Sequence, residues 1–338
     1  MKNNNYLISF LFAFISLLHF NNTVHAQFEK SATIPDNLSV SYFTFKDNNI
    51  LCIANNLRDN VSYIYKSSDC GNHWEKIFSM DKIILHLNYH NDKLYFIIQD
   101  HFLNKTFIAS SADSLKTIQK IEIPGFNREP FFDVFFIEQK IVLAYKYGLI
   151  VFTEGMFRKV NIIKKQKSIS NKIIFFENAL YANYGNSIVV SKDTCKTWQE
   201  CLSVNQFSIK NFDFRFSKIT DFAIINGGFL LLLRNQNTGI QDLFYCNSMN
   251  ADSVKLINQN ETSCWKFCET NLGVFLLPYV YNQPKKIYYF DNNISLKSIA
   301  LNPECFKRGE SILEAILCND KLILGTTNGV YSLKNANL

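Results

Sequence analysis

The chain has 338 residues, of which 47% are apolar, 19% charged and 15% aromatic. Globular chains carry about a quarter charged residues, so this is core-rich sequence and not disorder; only 12 Gly and 6 Pro exclude collagen-like or low-complexity character. A net charge of +6 is mild for a nucleic-acid groove, whereas 31 Phe and 16 Tyr suit a packed β core.

The N-terminus reads as an address. Lys2 opens it, Tyr6–Phe20 is almost unbroken apolar sequence, and Val24-His25-Ala26 precedes Gln27. This is the pattern of a secretory signal peptide occupying residues 1–26. Its apolar stretch is short for a span of about twenty residues, and no later segment is long and apolar enough to cross a bilayer. The expectation is a secreted or periplasmic protein of a Gram-negative bacterium, with residues 27–338 as one domain.

An oxidising compartment permits disulfides among Cys52, Cys70, Cys195, Cys201, Cys246, Cys264, Cys268, Cys305 and Cys318. The count is odd, so at least one thiol is free or pairs between molecules. Most stand in apolar, strand-like runs, where Cys acts as a small hydrophobe.

Next comes a repeat. A polar turn followed by an apolar strand recurs at Asn48-Asn49-Ile50-Leu51, Asn91-Asp92-Lys93-Leu94, Gln139-Lys140-Ile141-Val142 and Asn178-Ala179-Leu180-Tyr181. It recurs again at Gly227-Gly228-Phe229-Leu230, Leu272-Gly273-Val274-Phe275 and Asn319-Asp320-Lys321-Leu322. The copies lie roughly 40–50 residues apart, the length of a four-stranded propeller blade. Residues alternate or run apolar, and helical periodicity is absent. The expected fold is all-β, a seven-bladed propeller, with six or eight blades as alternatives. The last copy ends one strand short. Phe28-Glu29-Lys30-Ser31-Ala32-Thr33-Ile34-Pro35 supplies a candidate, because an open ring would leave strand edges unpaired.

Ser67-Ser68-Asp69-Cys70-Gly71-Asn72-His73-Trp74 fits Ser-x-Asp-x-Gly-x-x-Trp, and Ser191-Lys192-Asp193-Thr194-Cys195-Lys196-Thr197-Trp198 fits it with Cys in place of Gly. Ser111-Ala112-Asp113-Ser114-Leu115-Lys116-Thr117-Ile118 keeps Ser and Asp, and Asn250–Ile257 is more eroded. These octamers resemble the Asp-box, or BNR, repeats of sialidase-like β-propellers. The resemblance implies that Ser67, Asp69, Gly71, Trp74, Ser111, Asp113, Ser191, Asp193 and Trp198 are structural and lie away from the binding face. Replacing Gly by Leu115 and Cys195 predicts relaxed or altered turns there.

Sialidases of that superfamily carry an Arg-Ile-Pro motif; here the corresponding stretch is Ala32-Thr33-Ile34-Pro35, which counts against sialidase activity. In propeller topology Arg58, Arg128, Arg215, Arg234 and Arg308 fall on the face opposite the octamers, where Arg forks suit anionic ligands. Aligning the copies brings Tyr42, His86, Asp133, Lys172, Asp221, Lys266 and Glu314 to one level of the inner strands. This predicts a polar ring in the central channel with alternating charge from Asp133 to Glu314. Such a ring serves ligand binding, or acid/base hydrolysis with Asp133, Asp221 and Glu314 as candidates, or simply satisfies its own charges around water.

No metal or cofactor motif occurs. His86 and His90, four apart on a strand, stand about 13 Å apart and share no metal, and Cys264 and Cys268 fail as a pair for the same reason. The expected role is an exported binding or protein-interaction module without catalysis, its partner an anionic glycan or another exported protein and not nucleic acid. The alternative is a sialidase-like glycoside hydrolase acting on anionic glycans.

Overall fold

The structure is a computed structural model and describes residues 28–125, 131–137, 140–145, 148–160, 172–209, 214–247, 254–261, 265–270, 273–278, 286–291, 293–307, 309–319 and 321–333. Among these residues, twenty-eight strands form seven antiparallel four-stranded sheets. The chain opens with β1 (Phe28–Lys30). Blade 1 follows, with β2 (Ser39–Lys46), β3 (Asn49–Asn56), β4 (Val61–Ser67) and β5 (Glu75–Met80). Blade 2 holds β6 (Ile83–His90), β7 (Lys93–Asp100), β8 (Lys105–Ser111) and β9 (Gln119–Glu122). Blade 3 holds β10 (Phe131–Ile137), β11 (Lys140–Tyr145), β12 (Gly148–Thr153) and β13 (Met156–Val160). Blade 4 holds β14 (Ile173–Phe176), β15 (Ala179–Tyr184), β16 (Ser187–Ser191) and β17 (Gln199–Ser203). Blade 5 holds β18 (Ser217–Ile225), β19 (Gly228–Asn235), β20 (Gln241–Cys246) and β21 (Val254–Glu261). Blade 6 holds β22 (Trp265–Thr270), β23 (Gly273–Pro278), β24 (Lys286–Phe290) and β25 (Leu296–Ala300). Blade 7 is β26 (Ile312–Cys318), β27 (Lys321–Thr326), β28 (Gly329–Leu333) and, outermost, β1.

The inner strands β2, β6, β10, β14, β18, β22 and β26 touch in that order, and β26 returns to β2. The molecule is a closed seven-bladed β-propeller. Both faces of each sheet meet a neighbouring blade, so strands need apolar residues on both sides: Gly228–Leu233 of β19 is buried throughout. Seven apolar clusters result, one at each blade interface.

Closure follows the sequence expectation. Phe28 pairs with Leu333, Glu29 with Ser332 and Lys30 with Tyr331. The strand is shorter than Phe28–Pro35: after Ser31 donates to the Val330 carbonyl the chain leaves the edge, and Ile34 turns into the core between blades 7 and 1. Pro35 has no N–H to continue a ladder.

The three Ser-x-Asp turns share one geometry. Ser67 Oγ donates to Asp69 Oδ1 at 2.9 Å and accepts from the Gly71 amide; Ser111 and Ser191 do the same with Asp113 and Leu115, and with Asp193 and Cys195. Contrary to the sequence expectation, the turns lacking Gly have not relaxed. Leu115 (φ 72°) and Cys195 (φ 66°) hold the left-handed conformation of Gly71 (φ 80°). At the equivalent position in each turn, His73, Thr117 and Thr197 donate an amide to the Asp and bond it again through the side chain, so the three turns are held alike with or without glycine. Of the octamer beginning at Asn250, residues 250–253 lie outside the described residues.

Two cysteines depart from the small-hydrophobe reading. Cys70, in the first Ser-x-Asp turn, forms a disulfide with Cys318 at the end of β26. Cys52, Cys195, Cys246 and Cys268 are buried and Cys201 and Cys305 half-buried, all outside that disulfide; Cys264 lies outside the described residues.

Candidate functional site

Five inner strands carry a bulge at the same level, between Ser41 and Phe43, Ile84 and His86, Phe131 and Asp133, Ile219 and Asp221, and Ile312 and Glu314. A bulge unpairs one residue and re-aims its neighbour. The residues just past four of these bulges are ring members, and Tyr42 is itself the bulged residue, at φ 65°. The bulge also frees backbone groups, which the adjacent blade takes up. Asn55 Nδ2 donates to the Ile84 carbonyl at 3.0 Å and Asn183 Nδ2 to that of Ile219 at 3.2 Å.

Tyr42, His86, Lys172, Asp221, Lys266 and Glu314 line one axial cavity of about 990 Å³, together with Arg234, Gln241, Trp265 and Glu269. Asp133 occupies the expected place in β10, but its side chain is outside the described residues. Six of the seven aligned residues therefore share this cavity, and the charges among them are internally matched. Lys172 Nζ lies 3.7 Å from Asp221 Oδ1 and 3.3 Å from Glu269 Oε1. Burial alone would lower the Lys172 ammonium, but the carboxylates of Asp221 and Glu269 more than offset this and raise it above its usual value. Asp221 Oδ1 accepts the Phe222 amide at 2.8 Å, and Oδ2 accepts the Phe267 amide of blade 6 at 2.6 Å. Lys266 lies 3.6 Å from Glu314 Oε2 and donates to the Leu313 carbonyl, the bulged position of blade 7. Cys268 donates its thiol to Glu314 Oε1 at 2.8 Å and is pushed well above its usual range, first by burial and then by that carboxylate.

These side chains therefore brace blade to blade, from 4 to 5 to 6 to 7. Glu269 was not singled out in the sequence, and Cys268 was considered only as a partner for Cys264, although it follows Lys266 by two and so shares its side of the strand. The opposite wall is aromatic. His86 packs edge-on against Tyr42, with ring centroids 4.7 Å apart, and His90 stacks on Phe136 at 5.1 Å. Neither ring nitrogen of His86 has a hydrogen-bond partner among the described residues. Burial, opposed by Glu314, lowers this imidazole to about 4, so it is neutral at pH 7.

The antiparallel order gives the ring an upper face, where inner strands begin and second strands end. Arg58, in the loop between β3 and β4, Arg215, in the 3-10 turn Phe214–Phe216 before β18, and Arg234, near the end of β19, all stand there. Arg128 and Arg308 lie outside the described residues. The Ser-x-Asp turns occupy the lower face.

A second upper-face feature escaped the sequence reading. The buried Asp100 carboxylate accepts the amides of Phe102 and Leu103 at 3.1 and 3.0 Å and is clamped by Lys82. Asn56 holds the next loop, accepting the Asp59 amide at 3.1 Å. These caps leave Phe102 88% exposed, Leu103 60% and Leu57 69%. The available signal was an Asp or Asn at the end of a second strand with apolar residues in the loop that follows, Leu57 after Asn56 and Phe102-Leu103 after Asp100.

No known family profile and no curated protein matches the chain. Solved structures do. YCF48 bound to D1 peptide aligns over 94% of this chain and 98% of its own, with a TM-score of 0.63 at 8% identity. The extracellular domain of the BT4673 system from B. thetaiotaomicron aligns over 92% of this chain and 40% of its own (TM-score 0.62, 10% identity). Saccharomyces cerevisiae Sqt1 aligns over 91% and 100% (TM-score 0.53, 12% identity). What is shared is the fold. Identities this low carry no residue roles.

Proposed function

We propose that the protein is an exported, non-catalytic binding module of Asp-box propeller type that engages another polypeptide on its upper face. The observation that carries this is the pair of rigidly capped loops presenting Leu57, Phe102 and Leu103 to solvent on neighbouring blades, beside the exposed Arg58. Apolar side chains held outward by buried polar caps lose little freedom on binding, which favours association. A YCF48 propeller bound to a D1 peptide is a precedent for polypeptide recognition on this fold. Export is supported by the signal pattern of residues 1–26 and by the Cys70–Cys318 disulfide, which suits an oxidising compartment. The three shared Ser-x-Asp turns support the Asp-box assignment.

Hydrolysis needs a carboxylate pair free to transfer protons. Asp221 and Glu314 instead spend their oxygens on neighbouring blades, and the three cations Lys172, Lys266 and Arg234 face the three anions Asp221, Glu269 and Glu314 across the cavity. That balance weighs against an anionic glycan.

The test is photo-crosslinking in the source cell, with benzoylphenylalanine placed at Leu57 or Phe102 on the upper face, or at Met156 on the lower. A discrete protein adduct from the upper positions alone is expected. Adducts from Met156 alone would overturn the reading, as would turnover of a sialoside panel that Asp221→Asn abolishes.

A further inference from the structure

The ring is closed in blade 7, where β1 pairs with β28, and its seam is the adjoining interface with blade 1. The outer edge of blade 7 is held by the three residue pairs of β1. Outermost strands elsewhere pair more extensively, β5 and β13 through five residues each. The lower face of the seam is held at the first Ser-x-Asp turn. There Cys70 is bonded to Cys318 across 248 residues of sequence, Lys321 Nζ donates to Asn72 Oδ1 at 2.6 Å, and Asn319 Nδ2 approaches Cys70 Sγ at 3.3 Å. The same turn reaches the strand side of the closure, because the Trp74 amide donates to Thr33 Oγ1 at 3.0 Å, just beyond β1. Gly71 sits so close to blade 7 that a Cβ would lie 2.8 Å from Ile323. Strand and disulfide therefore act on one joint, and Cys70 and Cys318 are both half-buried residues, not core ones.

We propose that this joint is a redox latch: the ring closes fully only when Cys70 and Cys318 are joined, and reduction loosens β1 and the edge of blade 7 while the other blades stay folded. Closing requires an oxidant, here a small-molecule or protein disulfide. One cysteine thiolate attacks it, forming a mixed disulfide and releasing one thiolate. The second cysteine thiolate then displaces the other, so two cysteine protons are lost and the donor disulfide is reduced to two thiols. The latch depends only on the position of the bond and not on the proposed partner. Its consequence for an exported chain, that the ring is sealed after it leaves the reducing cytosol, rests on the export reading, which N-terminal sequencing of the mature protein tests separately.

The experiment is amide hydrogen exchange on residues 27–338, comparing protein oxidised with glutathione disulfide, protein reduced with dithiothreitol, and the double variant Cys70→Ser/Cys318→Ser. The expected result is at least tenfold faster exchange in Phe28–Lys30 and Gly329–Leu333 in the reduced and double-variant proteins, with Ser187–Ser191 of blade 4 unchanged. Equal protection at the seam in all three samples would overturn the latch. So would uniform loss of protection across all blades, which would make the disulfide a global fastener. Reducing the wild-type chain in place keeps the test valid if the double variant folds poorly.

Discussion

The seam between blades 7 and 1 and the interfaces joining blades 4 to 7 solve the same problem with different chemistry. At the seam the fastening is covalent and apolar: Ile34, just beyond β1, packs into the core between blades 7 and 1, and a disulfide spans the joint. At blades 4 to 7 the fastening is ionic, with Lys172, Asp221, Glu269, Lys266 and Glu314 reaching across the channel. Successive blades are already linked by short connections, so charged side chains need only set the angle between them. Blade 7 must overcome the entropy of bringing β1 to β28 from far along the chain, and loop closure grows costlier with length. The charged ring therefore braces blades, with the carboxylates of Asp221 and Glu314 each engaging a neighbouring blade.

The largest break in this comparison comes at Phe28, whose ring is 4% exposed and lies 5.9 Å from Phe306. Phe28→Ala should cost about 4 kcal/mol in urea unfolding of the oxidised protein. If strand and disulfide secure one joint, its effect and that of Cys70→Ser/Cys318→Ser will be non-additive by more than about 0.5 kcal/mol; strict additivity would separate the two fasteners. Next is Asp221→Ala, which removes one of the two carboxylates facing Lys172 and strands the Phe267 amide. It should cost about 3 kcal/mol, while Lys172→Met/Asp221→Leu recovers much of the loss. A fully stable Asp221→Ala protein would mean that the ring braces nothing.

The contrast also explains what was legible in the sequence. The repeat and the missing strand are set by local pattern, so Phe28 could be matched to the last blade without coordinates. Ring positions could be aligned because the hairpin turn fixes register back along each inner strand. The bulges could not be read, since an unpaired residue leaves no mark in an apolar run, and they decide which side chain meets the neighbouring blade. Cys70 and Cys318 were indistinguishable from the other cysteines because their proximity arises only when the ring closes. The capped loops depend on Asp100 and Asn56, short polar residues common in any turn.

The aromatic half of the channel gives a pH test that the charged half does not. His86 has its folded pKa lowered to about 4 by burial, against about 6.5 for an unfolded histidine. Between those values the unfolded chain binds the proton first, so stability falls as pH drops from about 6.5 toward 4 and levels off below. The loss attributable to this one group is no more than about 3 kcal/mol. Urea midpoints measured across that range should flatten in His86→Gln, and an unchanged slope would assign the effect elsewhere.

The smallest effect bears on the lower face. Ser114, at φ 58°, is exposed and sits just before Leu115 in a turn that lacks glycine. A left-handed non-glycine residue costs about 1 kcal/mol, part of which glycine gives back as unfolded-state entropy, so Ser114→Gly should stabilise by about 0.5 kcal/mol. At Gly71 the same conformation is combined with close contact to Ile323, so Gly71→Ala should destabilise by more than Ser114→Gly gains. Thermal melts of the two variants compare a turn at the seam with one away from it. Equal and opposite shifts would mean that only backbone conformation matters. A larger loss at Gly71, relieved when Ile323 is shortened to Val, locates the difference in the packing of blade 1 against blade 7.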